Sequence, residues 1–83
     1  MSKFQSKLIA KYKKDGYLVI NLIKASEAGW PDLIILKNGK ATFIECKEGN
    51  DTLKELQKFR IDTLKNNGFD AFALHNEKGI IWN

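Results

Sequence analysis

The sequence predicts an α/β fold, a mixed sheet flanked by helices in the order αβββαβ. Three observations carry that expectation. Two stretches open on helix-start patterns and repeat apolar residues at helical spacing. An Asn-Gly pair separates two apolar runs. Further β-rich segments precede the hairpin and follow the second helix.

The first helix opens at Ser2-Lys3-Phe4-Gln5, the S-x-x-Q form of a capping box, and Phe4, Leu8, Ile9 and Tyr12 recur at helical spacing up to Gly16. It is expected over about Ser2 to Asp15. Its other face carries Lys3, Lys7, Lys11 and Lys14, either a solvated surface or a row of phosphate contacts. Tyr17 to Ile23 is rich in β-branched and apolar residues and reads as a buried strand, followed by a loop from Lys24 to Trp30. Asp32 to Lys37 and Lys40 to Lys47 are two strands joined by Asn38-Gly39, the strongest short-range hairpin signal. Thr52-Leu53-Lys54-Glu55 is a second capping box, and the helix it opens is expected to stop near Asn67-Gly68, where glycine supplies a left-handed residue. Asp70 to Leu74 forms a fourth strand and Gly79 to Trp82 a short fifth. Nothing repeats and no linker interrupts the 83 residues, so they are expected to form one domain around one core.

Composition narrows the function classes. The hydrophobic share of 43% and charged share of 29% are ordinary globular values. The single cysteine, Cys46, and single histidine, His75, exclude an internal disulfide and a four-ligand zinc site. No apolar run reaches membrane-spanning length and the N-terminus lacks a secretory signal, so a cytoplasmic protein of a bacterial or phage-infected cell is expected. A net charge of +4 and a pI near 9.3 favour a polyanionic partner. So short a chain buries little surface alone, which makes a homodimer the default expectation.

The hairpin yields a site geometry. A two-residue loop at Asn38-Gly39 pairs Lys37 with Lys40, and the register that follows brings Asp32 opposite Glu45. Directly opposed residues project to one side with Cβ atoms roughly 4.5–5.5 Å apart, where like charges repel. A divalent cation would turn that repulsion into coordination, and hard oxygen ligands suit Mg²⁺ or Mn²⁺. Period-two alternation puts Lys47 beside Glu45 and turns the Cys46 side chain away with Ile44, leaving only the Cys46 backbone within reach. A cation there can steady an attacking oxygen or counter charge developing on a phosphate. The alternative is a turn-capping Asp32 with Glu45 and Lys47 as an exposed charged pair.

In the second helix, Gln57 and Arg60 fall among Leu53, Leu56, Ile61 and Leu64 on the side expected to be buried, and so need polar partners. Those partners are either site groups and phosphate or, respectively, a sheet edge and solvent. Trp30 either stacks on a base or packs at an edge. Trp82 is either a sheet-edge anchor or an interface residue. Glu27 and Glu48 are read as solvated, or else as attracting a second cation. His75, placed after the fourth strand, is read as a surface residue.

Gly29-x-Pro31-Asp32, then Phe43-Ile44-Glu45-Cys46-Lys47, then Gln57 followed by Phe59-Arg60, closely resemble the VRR-NUC branch of the PD-(D/E)XK nucleases, the restriction-endonuclease-like fold. The resemblance runs over nearly the whole chain. It implies that Asp32 and Glu45 bind a divalent metal with the Cys46 carbonyl, that Lys47 is the catalytic lysine, and that Gln57 steadies the site. It further implies dimers that cut branched DNA, like Holliday-junction resolvases. Lys7, Lys11, Trp30 and Arg60 are the expected nucleic-acid contacts. One departure stands out: the family often has a glutamate at the start of the first helix, where this chain has Met1, and Gln5 is expected near the site instead. The expected function is therefore a metal-dependent DNA endonuclease. A rival is a nuclease-fold DNA-binding module without turnover, and a third reading is an inhibitor-like interaction protein that binds neither metal nor DNA.

Overall fold

The computed structural model describes residues 2–83. Their order is α1 (Lys3–Lys14), β1 (Leu18–Asn21), β2 (Leu33–Lys37), β3 (Lys40–Lys47), α2 (Glu55–Asn66), β4 (Asp70–His75) and β5 (Gly79–Trp82). The strands lie side by side in sequence order in one five-stranded sheet. Every pairing is antiparallel except β3 with β4. A parallel pair needs a long crossover, and α2 is that crossover. Asn38 and Gly39 both have positive φ, 53° and 77°, and close the hairpin with Lys37 opposite Lys40.

Each helix covers one face. Leu8 of α1 packs with Leu33, Ile35 and Ile44. On the other side Ile61 of α2 lies against Ala71 and Ala73, with Phe43, Leu53 and Leu64 around them. The small alanines of β4 let the helix backbone come close. Among the described residues no helix is long and apolar enough to cross a membrane.

Three boundaries depart from the sequence expectation. β1 is shorter than expected and is an edge strand, with Leu18 63% and Ile20 40% exposed rather than buried. The reason is topological. Leu18 and Ile20 pair with Leu36 and Ile34, and Ile34 pairs with Phe43 on the α2 face. As the crossover between β3 and β4, α2 packs over β4 and leaves the β1–β2 part of that face without a helix.

α1 opens at Ser2 as expected, but only half of its capping box forms, and the start of α2 shifts. Ser2 Oγ accepts the Gln5 N–H at 3.1 Å, but the Gln5 amide donates across to Asn21 Oδ1 at 3.1 Å instead of turning back. α2 begins at Glu55, not in the Thr52 box, because the Gln57 side-chain Oε1 takes the Lys54 N–H at 3.0 Å. β4 runs one residue further than expected, to His75, while β5 keeps its expected bounds.

Candidate active site

Five hairpin pairs keep register from Lys37↔Lys40 to Leu33↔Ile44. The chain then bends at Asp32, which lies beside Glu45 closely enough for its charge to act on that carboxyl. The Asp32 C=O accepts from Leu22 N–H on the β1 side at 2.7 Å. Pro31, just before the bend, is fully buried. Cys46 N–H donates to Asp32 Oδ2 at 2.8 Å. In an antiparallel ladder one residue's N–H and C=O point to the same neighbour. The Cys46 carbonyl therefore points to the same edge as Asp32.

Glu45 and Lys47 are 4% and 5% exposed, on the face covered by α2. Gln57 Nε2 donates to Glu45 Oε2 at 3.2 Å while its own oxygen holds Lys54 N–H, so one side chain ties the start of α2 to the carboxylate. Lys47 Nζ lies 3.6 Å from the same Oε2. On its other side Lys47 meets Asp51 Oδ2 at 3.5 Å. Asp51 was missed from sequence, where only its spacing four residues after Lys47 hinted at it. Burial, and then the Asp32 charge, push the Glu45 carboxyl up to about 8. Lys47 pulls the other way without overcoming them. Burial also raises the Cys46 thiol, to about 12. Its side chain packs with the α1 core as expected, on the far face from the carboxylates.

The remaining candidates fall into place around this centre. Gln5 borders a cavity of about 280 Å³ with Asn21, Leu22, Ile23 and Asp32. Met1 lies outside the described residues. Arg60, expected at nucleic acid, is turned into the loop before β2, where its guanidinium stacks on Trp30 at 4.4 Å and Nε donates to Ala28 O at 3.1 Å. Glu27 is 3.9 Å from the same guanidinium. Lys7 is exposed beside Lys3, Glu48 and Asn76 at the end of the sheet that carries Glu45, and Lys11 is exposed one turn further along α1. Trp82 donates to Asp62 Oδ1 at 3.2 Å, fastening β5 to α2 as an edge anchor.

His75 is the clearest correction. It is 4% exposed, not on the surface. Its Nδ1 accepts from Glu77 and Lys78 N–H at 3.1 and 3.2 Å, which fixes the Nε2–H tautomer that donates to Gly49 O at 2.9 Å. Its ring thus joins the turn after β4 to the turn that carries Asp51. A concavity of about 440 Å³ opens at the opposite end of the sheet between Tyr12, Lys37 and Phe72. It is away from the two carboxylates, so chemistry and not volume marks the site.

A mixed α/β sheet with two acids and a lysine at one strand end is the layout of the restriction-endonuclease-like nucleases, the class to which fold and site point. The model of the VRR-NUC domain matches residues 2–77, and this chain belongs to the VRR-NUC family. A solved VRR-NUC domain shares the fold with a TM-score of 0.75 and 25% identity, over 86% of this chain and 78% of that one. A Holliday junction resolvase from the archaeal hyperthermophile Archaeoglobus fulgidus gives a TM-score of 0.67 at 18% identity, a likeness of fold. It is matched over 89% of this chain and 62% of its own, so this chain spans less than two thirds of that resolvase. Among curated proteins no sequence match is found.

Proposed function

We propose that this chain is a Mg²⁺- or Mn²⁺-dependent endonuclease that hydrolyses DNA phosphodiester bonds. The observation that carries the reading is the convergence of Asp32 and Glu45 beside buried Lys47. The donor set fits a hard cation. It consists of two carboxylates and one backbone carbonyl, all oxygen. Burial first, and then the Asp32 charge, raise the Glu45 carboxyl, and a cation between the two acids would favour their ionised forms. Among the described residues no three His, Cys, Asp or Glu side chains cluster, so further ligands would be water and phosphate oxygens, as Mg²⁺ prefers.

Asp32, Glu45 and the Cys46 carbonyl would hold the ion. When bound, it supplies Lewis acidity toward water and phosphate. The protein's own groups do the rest. Gln57 fixes Glu45 through Oε2. Lys47, held between Glu45 and Asp51, places a fixed positive charge where the attacking oxygen and the phosphate charge meet. A net charge of +4, with Lys3 and Lys7 exposed at this end of the sheet, favours a phosphate backbone. The likeness of fold to a junction resolvase supports branched DNA as the substrate shape.

The decisive assay offers supercoiled plasmid and a four-way junction with Mg²⁺ or Mn²⁺, beside binding in Ca²⁺. Cleavage is expected, lost with EDTA and in Asp32→Ala while circular dichroism is unchanged. Metal-independent cleavage, or full activity of Asp32→Ala, would sink the mechanism. Tight binding with no cleavage in either metal would leave a DNA-binding module.

The same reading includes a homodimer, formed through the uncovered face of β1 and β2. Leu18 and Ile20 stand exposed there, and one strongly exposed side of α2 carries Leu56 and Phe59. A second copy would bury this apolar surface, which a chain this small has reason to do. Leu18→Lys with Ile20→Lys is expected to turn a dimer into a monomer in light scattering after size exclusion. A wild type that is monomeric at ~100 μM, a loading well above typical interface affinities, removes the dimer.

A further inference from the structure

The geometry points to Arg60 as a positioning residue for Asp32, acting through the loop between β1 and β2 and not through DNA. The inference deepens the nuclease reading above and rests on it for its metal-binding half. Asp32 lies just outside the regular ladder, so β2 alone does not set its place. What precedes it is a chain of fixed contacts. Arg60 holds Ala28 through Nε–H···O at 3.1 Å and Trp30 through a face-on stack at 4.4 Å. Between them Gly29 has φ +87° and sits so close to α2 that a Cβ would meet Leu56 Cγ at 2.6 Å. Trp30 leads into buried Pro31, whose ring limits φ, and Pro31 leads directly into Asp32. Few soft torsions separate the guanidinium from the carboxylate.

The same helix carries Gln57, which holds Glu45 at 3.2 Å. Residues 57 and 60 are neighbours on the α2 surface, three apart. One rigid turn thus fixes both carboxylates, Glu45 by a direct hydrogen bond and Asp32 through the loop. α2 would thereby hold in place the two acids that would share an ion. Arg60 suits this role better than lysine would, because it needs a planar face for Trp30 and an N–H for Ala28 together. With those contacts made and Glu27 3.9 Å away, its charge faces the protein rather than a phosphate.

Amide hydrogen exchange by NMR on metal-free protein tests the positioning directly, since Cys46 N–H is the proton bound to Asp32 Oδ2. Arg60→Ala is expected to speed exchange at Cys46 and Leu22 about tenfold or more while Ile44 and Ala73 stay protected. Calorimetric Mn²⁺ titration should show a Kd weakened about tenfold or more, as expected when a ligand loses its support. Trp30→Ala should repeat the pattern, and Trp30→Phe, which keeps a ring face, should restore protection. Arg60→Lys should stay near Arg60→Ala.

Unchanged Cys46 protection and metal affinity, with the salt dependence of DNA binding reduced by about one counterion, would make Arg60 a phosphate contact and overturn the proposal. Loss of protection at Ile44 as well would make it a general packing residue and overturn it too. Should Arg60→Ala fail to fold, the two Trp30 variants decide by the same criteria. Wild type that binds no Mn²⁺ overturns the nuclease reading alone, because the exchange result needs no metal.

Discussion

Glu45→Gln is expected to stabilise the metal-free protein at pH 8.5 and to stop cleavage. In the folded chain, burial and the Asp32 charge raise the Glu45 carboxyl from 4.5 to about 8. The fold therefore binds a proton that the unfolded chain releases between those values. Stability from this group is full below pH 4.5 and is lost as pH rises toward 8, the reverse of an ordinary salt-bridged carboxylate. At ~1.4 kcal/mol per unit, the loss across the window is roughly 3–5 kcal/mol. Glutamine ends the titration. Its oxygen can still accept from Gln57, and its N–H₂ can donate to Asp32, replacing a repulsion with a hydrogen bond. Urea unfolding without metal should put the variant well above wild type at pH 8.5 and close to it at pH 5. The account fails if the gap is equal at both. Cleavage should fall to background, because a neutral amide neither neutralises nor tightly holds a hard cation. Gaining stability while losing activity is what marks Glu45 as kept for chemistry rather than for the fold.

Sequence legibility followed the range of the interaction involved. Asn38-Gly39 fixes a hairpin through two local backbone torsions, and the register carries that information five pairs out to Leu33 and Ile44, the neighbours of Asp32 and Glu45. Helix starts were less legible because their capping side chains have distant alternatives: Gln5 goes to Asn21, and Gln57 serves Lys54 and Glu45 at once. An apolar run such as Leu18 to Ile20 reports that a face wants cover, but not whether a helix of the same chain supplies it. His75 and Asp51 were unreadable for a related reason. Each is defined by turns, the ring of one holding Gly49 and the acid of the other reaching back to Lys47. No periodicity encodes such contacts. Arg60 looked like a cation in search of a phosphate because its aromatic partner, Trp30, is far away in sequence.

Lys47→Met is expected to separate catalysis from metal binding. Methionine fills most of the space of the lysine stem and adds no polar group to a site that is 5% exposed. Removing the ammonium leaves Glu45 and Asp51 without the cation that now lies 3.6 and 3.5 Å from them. The local field becomes more negative, so a divalent ion should bind at least as tightly as in wild type once Glu45 has lost its proton. Cleavage should nonetheless fall by roughly 10²–10³-fold, the usual cost of removing one preorganised charge from where the transition state gathers its own. DNA affinity at fixed salt should change little, since a buried lysine does not count among the phosphate contacts. Titration calorimetry with Mn²⁺ and single-turnover cleavage at saturating metal read the two quantities apart. If both fall together, Lys47 is holding the carboxylates in place and not serving the reaction. If activity persists, the positive charge next to the acids is only their counterion, and an active-site role must be sought at Asp51 or Gln57 instead.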